Sequence, residues 1–153
     1  MALALEFYIG DSERIAEAIR TIELDQLNDP AVVRGKADLS LHITPQDLNL
    51  LSLQMGRVSG RPAIELRPYL DPIVDEEDRG LLSVDSTWVA YAAAVRAEQV
   101  DDLVNGWFRA MRLEYGDLET VVTDESRLAV RDLIALCKAA SEDRQPVVHA
   151  WFL

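Results

Sequence analysis

The chain has 153 residues, 49% of them hydrophobic, and its 27 acidic and 15 basic side chains give a net charge of −12. This length and composition predict a single domain, residues 1–153, that folds without disulfides or a structural metal. The excess of acids argues against a nucleic-acid-binding class, which needs clustered Lys and Arg, and no uncharged apolar run approaches the roughly 20 residues that cross a membrane.

The N-terminal residues lack the basic start and the long apolar run of a signal peptide. The single cysteine, Cys137, has no second cysteine to form an internal disulfide with. We therefore expect a cytoplasmic protein. Cys137 lies in an apolar helical stripe, and such surroundings keep a thiol protonated and unreactive.

Alternating polarity predicts a first strand at residues 3–9, and helical spacing of apolar residues predicts a helix at 12–24 with Asp11 as its N-cap. Residues 28–36 contain Asn-Asp-Pro and a glycine, which predicts a loop. A second strand at 37–43 precedes Thr44-Pro45-Gln46-Asp47, whose cap, proline and acid predict a helix at 45–55 that ends at Gly56.

A short strand at 63–67 is the only element expected in the proline-containing middle of the chain. The second half predicts helices at 86–95, with Asp85 as cap, at 98–115 and at 124–141; the first of these also permits a strand. A last strand at 147–153 is apolar at nearly every residue, which is typical of a strand that is covered on both faces or lies centrally in a sheet. The fold class is therefore α+β, a small mixed or antiparallel sheet covered by amphipathic helices.

The two histidines, His42 and His149, are the main candidates for acid–base chemistry near neutral pH. If the strands share one sheet, alternation predicts Leu5, Phe7 and Val148 on the face that the helices cover. The opposite face would then carry a polar and aromatic set: Glu6, Tyr8, Asp38, Ser40, His42, His149 and Trp151. This face is either a ligand-binding or catalytic surface or the solvent side of the sheet, and a one-residue change of register would reverse the assignment.

Other reaction motifs are weak. Ser40, His42 and Asp38 fall on one predicted strand without a glycine-rich oxyanion turn, which argues against a serine nucleophile. No spacing of His and Cys is typical of a metal site, and no glycine-rich loop is typical of a phosphate site, so we expect no metal and no cofactor. The acidic run Asp75-Glu76-Glu77-Asp78 is either a solvated loop or a surface that attracts a basic partner.

Two classes of function remain. The first is a non-catalytic interaction or regulatory protein that binds a basic or amphipathic partner, as toxin-neutralising immunity proteins do; we prefer it because no reaction motif contradicts it. The alternative is a small hydrolase or ligand-binding enzyme that uses His42 and His149 with Asp38 or Glu6. The sequence predicts no nucleic-acid or membrane partner and leaves open whether the chain forms a homodimer.

Overall fold

The described residues form one sheet of five antiparallel strands, which confirms the α+β class. The computed structural model describes residues 3–117 and 120–153. The strands are β1 (Ala4–Gly10), β2 (Val33–Asp38), β3 (Leu70–Asp75), β4 (Arg79–Val84) and β5 (Val147–Phe152), in the spatial order β2-β1-β5-β4-β3. The apolar β5 is the central strand, as its composition predicted.

In the part of the chain that the structure describes, the α-helices are α1 (Ser12–Arg20), α2 (Pro45–Ser59), α3 (Ser86–Ala93), α4 (Val100–Tyr115) and α5 (Asp124–Asp143). Short 3-10 helices lie at Leu24–Asn28, Arg67–Tyr69 and Ala97–Gln99. The three N-caps that the sequence indicated are present, because the side chains of Asp11, Thr44 and Asp85 each accept a hydrogen bond from a first-turn N–H. In the described part of the chain, no helix combines the length and the apolar character needed to cross a bilayer.

Helices cover both faces of the sheet, which gives a main core and a smaller second core. Leu5 and Phe7 of β1 belong to the main core, together with α2, α3, α4 and α5. Tyr8 of β1 and Val148 of β5 belong to the second core, where α1 contributes Ile15. The expectation of one covered and one polar face is therefore wrong, because α1 packs against the face that was expected to be polar.

The β3–β4 hairpin is the element that the sequence pattern missed. The expected strand at 63–67 is wrong, since the chain enters the sheet only at Leu70, after a 3-10 turn. Pro72 and a bulge between Pro72 and Val74 interrupt the alternation that normally reveals a strand. Because β3 is an edge strand, the same two features hinder pairing with another chain.

The second strand lies earlier than predicted, at Val33–Asp38 rather than 37–43. Gly35, interpreted from the sequence as a loop signal, is part of β2 and packs tightly. A Cβ at this position would lie 2.8 Å from Cγ1 of Ile9 and 3.2 Å from Cδ1 of Leu136. The glycine is thus required by the close approach of β1 and α5, and the chain has left the strand before it reaches His42.

Helix α2 continues four residues beyond the predicted end, to Ser59. Gly56 does not end the helix. A Cβ there would lie 2.5 Å from the carbonyl oxygen of Pro62, so the segment that follows α2 can pack against the helix only because residue 56 is a glycine. The helix ends instead at Gly60, whose φ of 66° is the left-handed conformation typical of a C-terminal glycine.

Candidate functional site

His149 is a core residue, and the face predicted for it is wrong. It pairs with Phe7 across β1 and β5, so it points into the main core with only 4% of its surface exposed. Its ring stacks on Phe7 with 4.3 Å between centroids, and its Nδ1 lies 3.0 Å from the carbonyl oxygen of Glu6. Burial lowers its pKa to about 4, so the imidazole is neutral at pH 7.

His42 is in a different environment. It lies in the loop between β2 and α2, is exposed, and has a φ of 58°. It lines a cleft beside the N-terminus of α2, whereas His149 lines an apolar cavity on the sheet. The two imidazoles therefore face separate spaces, and the acid–base pair that the sequence suggested is not formed.

Asp38 is the last residue of β2, and Ser40 lies two residues beyond the end of that strand. The carboxylate of Asp38 accepts a hydrogen bond of 2.9 Å from the Ser40 N–H, and Ser40 Oγ accepts one of 3.1 Å from the Leu5 N–H. The hydroxyl thus replaces a backbone carbonyl where the ladder between β1 and β2 ends. Among the described residues, no hydrogen bond joins Ser40 to His42, so these three side chains do not form a nucleophile system.

Glu6 and Tyr8 lie on the second face, with Lys36 beside them. The Glu6 carboxylate pairs with Lys36 Nζ at 3.1 Å and accepts a hydrogen bond from the Tyr8 hydroxyl. Burial raises the pKa of Glu6, although Lys36 opposes this shift. Trp151 is not part of this group, because it pairs with Leu5 and lies over Gly80 on the opposite face. The predicted face of seven residues is thus divided between two sides of the sheet and a loop.

The acidic run Asp75-Glu76-Glu77-Asp78 forms the exposed turn of the β3–β4 hairpin. The following residue, Arg79, pairs with Asp78 and also donates hydrogen bonds to the carbonyl oxygens of Ile19 and Arg20, at 2.7 and 3.0 Å. Arg79 therefore holds the hairpin against the end of α1. The carboxylates of Asp75, Glu76 and Glu77 are exposed to solvent.

The candidate functional site is the cleft that His42 lines, with a volume of about 590 Å³. Its walls come from the loop after β2, the first turn of α2, the last turns of α4 and the first turn of α5. Apolar side chains of Ile43, Phe108 and Met111 line part of it. The charged lining groups are the carboxylates of Asp47, Asp117 and Glu125, and among the described lining residues there is no Lys or Arg.

Asp47 connects the elements around the cleft, and sequence reasoning missed this role. Its carboxylate accepts hydrogen bonds from the Thr44 N–H at 2.8 Å and from the Tyr115 hydroxyl at 2.7 Å, and only 6% of the residue is exposed. The hydrogen bond to Asp47 raises the pKa of Tyr115. The motif Thr44-Pro45-Gln46-Asp47 identified a helix start, but nothing in the sequence places Tyr115 beside it.

Thr120 and Val121, which follow α4 in the chain, close one side of this cleft. Arg112 donates a hydrogen bond of 2.8 Å to the Thr120 carbonyl oxygen, and the Thr120 hydroxyl donates one of 2.7 Å to Asp117. These bonds hold Thr120 next to α4. Val121 follows and lines the cleft, although 67% of its surface is exposed.

The cleft therefore combines an apolar lining with carboxylates. Among the described residues, no three His, Cys, Asp or Glu side chains converge in a group that would hold a metal ion. Burial raises the pKa of the Cys137 thiol to about 12, so this side chain does not act as a nucleophile in the folded protein. No protein-family model, curated protein or solved structure matches this chain.

Proposed function

We propose that this chain is an interaction protein that binds a basic, amphipathic segment of a partner protein in the cleft beside His42. The observation that carries the proposal is the lining of that cleft, which is apolar on one part and negatively charged on another. An amphipathic segment presents a matching surface, because its apolar side chains pack on Val121, which is 67% exposed, and on the exposed edges of Ile43, Phe108 and Met111. Its Lys or Arg side chains meet the exposed carboxylate of Glu125.

The charge of the whole molecule supports the same partner. A net charge of −12 attracts a basic protein over distances comparable with the Debye length, about 8–10 Å at physiological salt. The exposed carboxylates of the β3–β4 turn add to this field. Charge of this kind raises the association rate, whereas the apolar contacts in the cleft slow dissociation.

Glu125 is the residue best suited to a test of this proposal. It lines the cleft in the first turn of α5, is exposed, and has no ion-pair partner among the described residues. Glu142 offers a matched control, because it is also an exposed acid on α5 but lies near the other end of that helix. Glu125→Lys and Glu142→Lys change the net charge equally.

The experiment identifies the partner by affinity capture and mass spectrometry, and then measures binding of the purified pair by calorimetry at low and high salt. We expect a basic partner whose affinity falls as salt rises. Glu125→Lys should weaken binding about tenfold or more, and Glu142→Lys should change it by less than about threefold. Equal effects of the two variants, or a captured partner whose binding does not depend on salt, would contradict the proposal.

A further inference from the structure

A second cavity, on the sheet itself, has no role in the proposed function. It has a volume of about 350 Å³, and its lining includes Leu5, Pro45, Leu70, Leu82, His149 and Trp151. Among the described residues that line it, only Arg67 carries a full charge at pH 7, and Arg67 is exposed, so that charge stays in solvent at the edge. The interior of the cavity is otherwise apolar.

The cavity exists because the helices of the main core do not cover the whole sheet. Helix α5 packs on β1 and β2, whereas β3 and β4 receive their helix, α1, on the opposite face. Leu82 of β4 pairs with His149 of β5, so both point to the side that the main-core helices leave partly open. Trp151 lies over Gly80 on the same side, where a Cβ would overlap the indole.

His149 presents an unused hydrogen-bond acceptor to this cavity. The Glu6 carbonyl oxygen can only accept, so the contact of 3.0 Å requires that Nδ1 donates its proton. In the neutral ring Nε2 is then a bare acceptor, and it receives no hydrogen bond from the described residues. Ser59 Oγ is the only fully enclosed side-chain polar atom without a partner in the described part of the chain, so Nε2 remains accessible from the cavity.

From this geometry we propose that the cavity is a binding site for a small, mainly aromatic or aliphatic molecule that carries one hydrogen-bond donor, and that the donor binds Nε2 of His149. A volume of about 350 Å³ holds roughly a dozen waters, at about 30 Å³ each, and so a ligand of a similar number of heavy atoms. The apolar lining favours a ring or a short chain, and a buried acceptor favours ligands that satisfy it over those that leave it unpaired.

Indole and 1-methylindole are suitable probes, because the two differ mainly in the N–H donor. Titrations followed by NMR report the imidazole ¹⁵N resonances of His149 and the indole resonance of Trp151. We expect indole to shift both and to bind about threefold to tenfold tighter than 1-methylindole, the range that one net hydrogen bond gives.

Two variants distinguish the contribution of the hydrogen bond to ligand binding from the contribution of the cavity itself. His149→Phe keeps the stack on Phe7 but removes Nε2, so the preference for indole should disappear while both probes still bind. Leu82→Trp fills the cavity and should abolish binding of both probes, whereas Leu128→Trp, at an exposed position of α5, should change neither. Equal affinities of the wild type for the two probes, no binding of either, or unchanged binding in Leu82→Trp would overturn the proposal.

Discussion

His149 and His42 show how much the surroundings of a residue decide its chemistry. His149 is enclosed by Phe7 and the Glu6 carbonyl and remains neutral far below the usual pKa of an imidazole. His42 lies in a loop, at the edge of a cleft. The sequence identified both as the side chains to inspect. It could not distinguish them, because the strand predicted at 37–43 continues past the end of β2 at Asp38 and so hides that His42 is in a loop, and alternation does not show which face of β5 carries His149.

The depressed pKa of His149 predicts a pH dependence of stability. An unfolded imidazole titrates near pH 6.5 and the folded one near pH 4, so the unfolded chain binds more protons between these values. The stability that depends on a neutral His149 is fully present above pH 6.5 and is lost as the pH falls, and this loss reaches about 3 kcal/mol near pH 4. Urea unfolding of wild type and His149→Phe at pH 7.0, 6.0 and 5.0 tests this. The free energy of unfolding should fall more steeply in the wild type, and parallel curves would show that the imidazole is not buried.

Among the secondary-structure elements, the N-caps of helices were easier to predict than the residues at which helices end. Thr44 and Asp85 were identified correctly because a cap depends on residues within one turn. The end of α2 was predicted wrongly at Gly56 because that glycine serves a contact with the segment at Pro62, which lies outside the helix. The β3–β4 hairpin escaped notice for a related reason, since an edge strand with a proline and a bulge lacks regular alternation.

Two buried helical glycines should respond differently to substitution by alanine. At Gly56 a new Cβ meets backbone atoms of Pro62 and Ala63, which cannot move aside, so Gly56→Ala should lower the free energy of unfolding by about 1–3 kcal/mol despite its better helix propensity. At Gly106 the Cβ meets only the ends of the Arg57 and Gln54 side chains. Gly106→Ala should therefore be close to neutral. Chemical denaturation of the two variants measures the difference, and equal losses would refute this explanation.

At the scale of the whole molecule, the two cores share one sheet. Phe7 and Tyr8 are neighbours on β1, yet the first contacts α3 through Trp88 and the second belongs to the core under α1. Because the strands of a sheet are joined by backbone hydrogen bonds, we expect both cores to unfold together. Cys137 is a natural probe of this cooperativity, since it is buried in the main core and unreactive in the folded state.

Ile15→Ala removes a fully buried side chain from the second core and should lower the free energy of unfolding by about 2–5 kcal/mol. If the chain unfolds as one unit, the free energy of unfolding obtained from labelling of Cys137 by a thiol reagent in urea should fall by the same amount. The transition seen by far-ultraviolet circular dichroism should coincide with it. Unchanged protection of Cys137 in this variant would mean that α1 detaches independently of the main core.

Local periodicity and composition were enough to predict the α+β class, the helix caps, the apolar surroundings of Cys137, and a last strand that is either central or covered on both faces. The folding of the whole chain set which residues lie together. It paired Phe7 with His149, joined Asp47 to Tyr115 across 68 positions of the chain, and placed α1 on the second face. These outcomes depend on register and on long-range packing, where a shift of one residue exchanges the two faces of a strand.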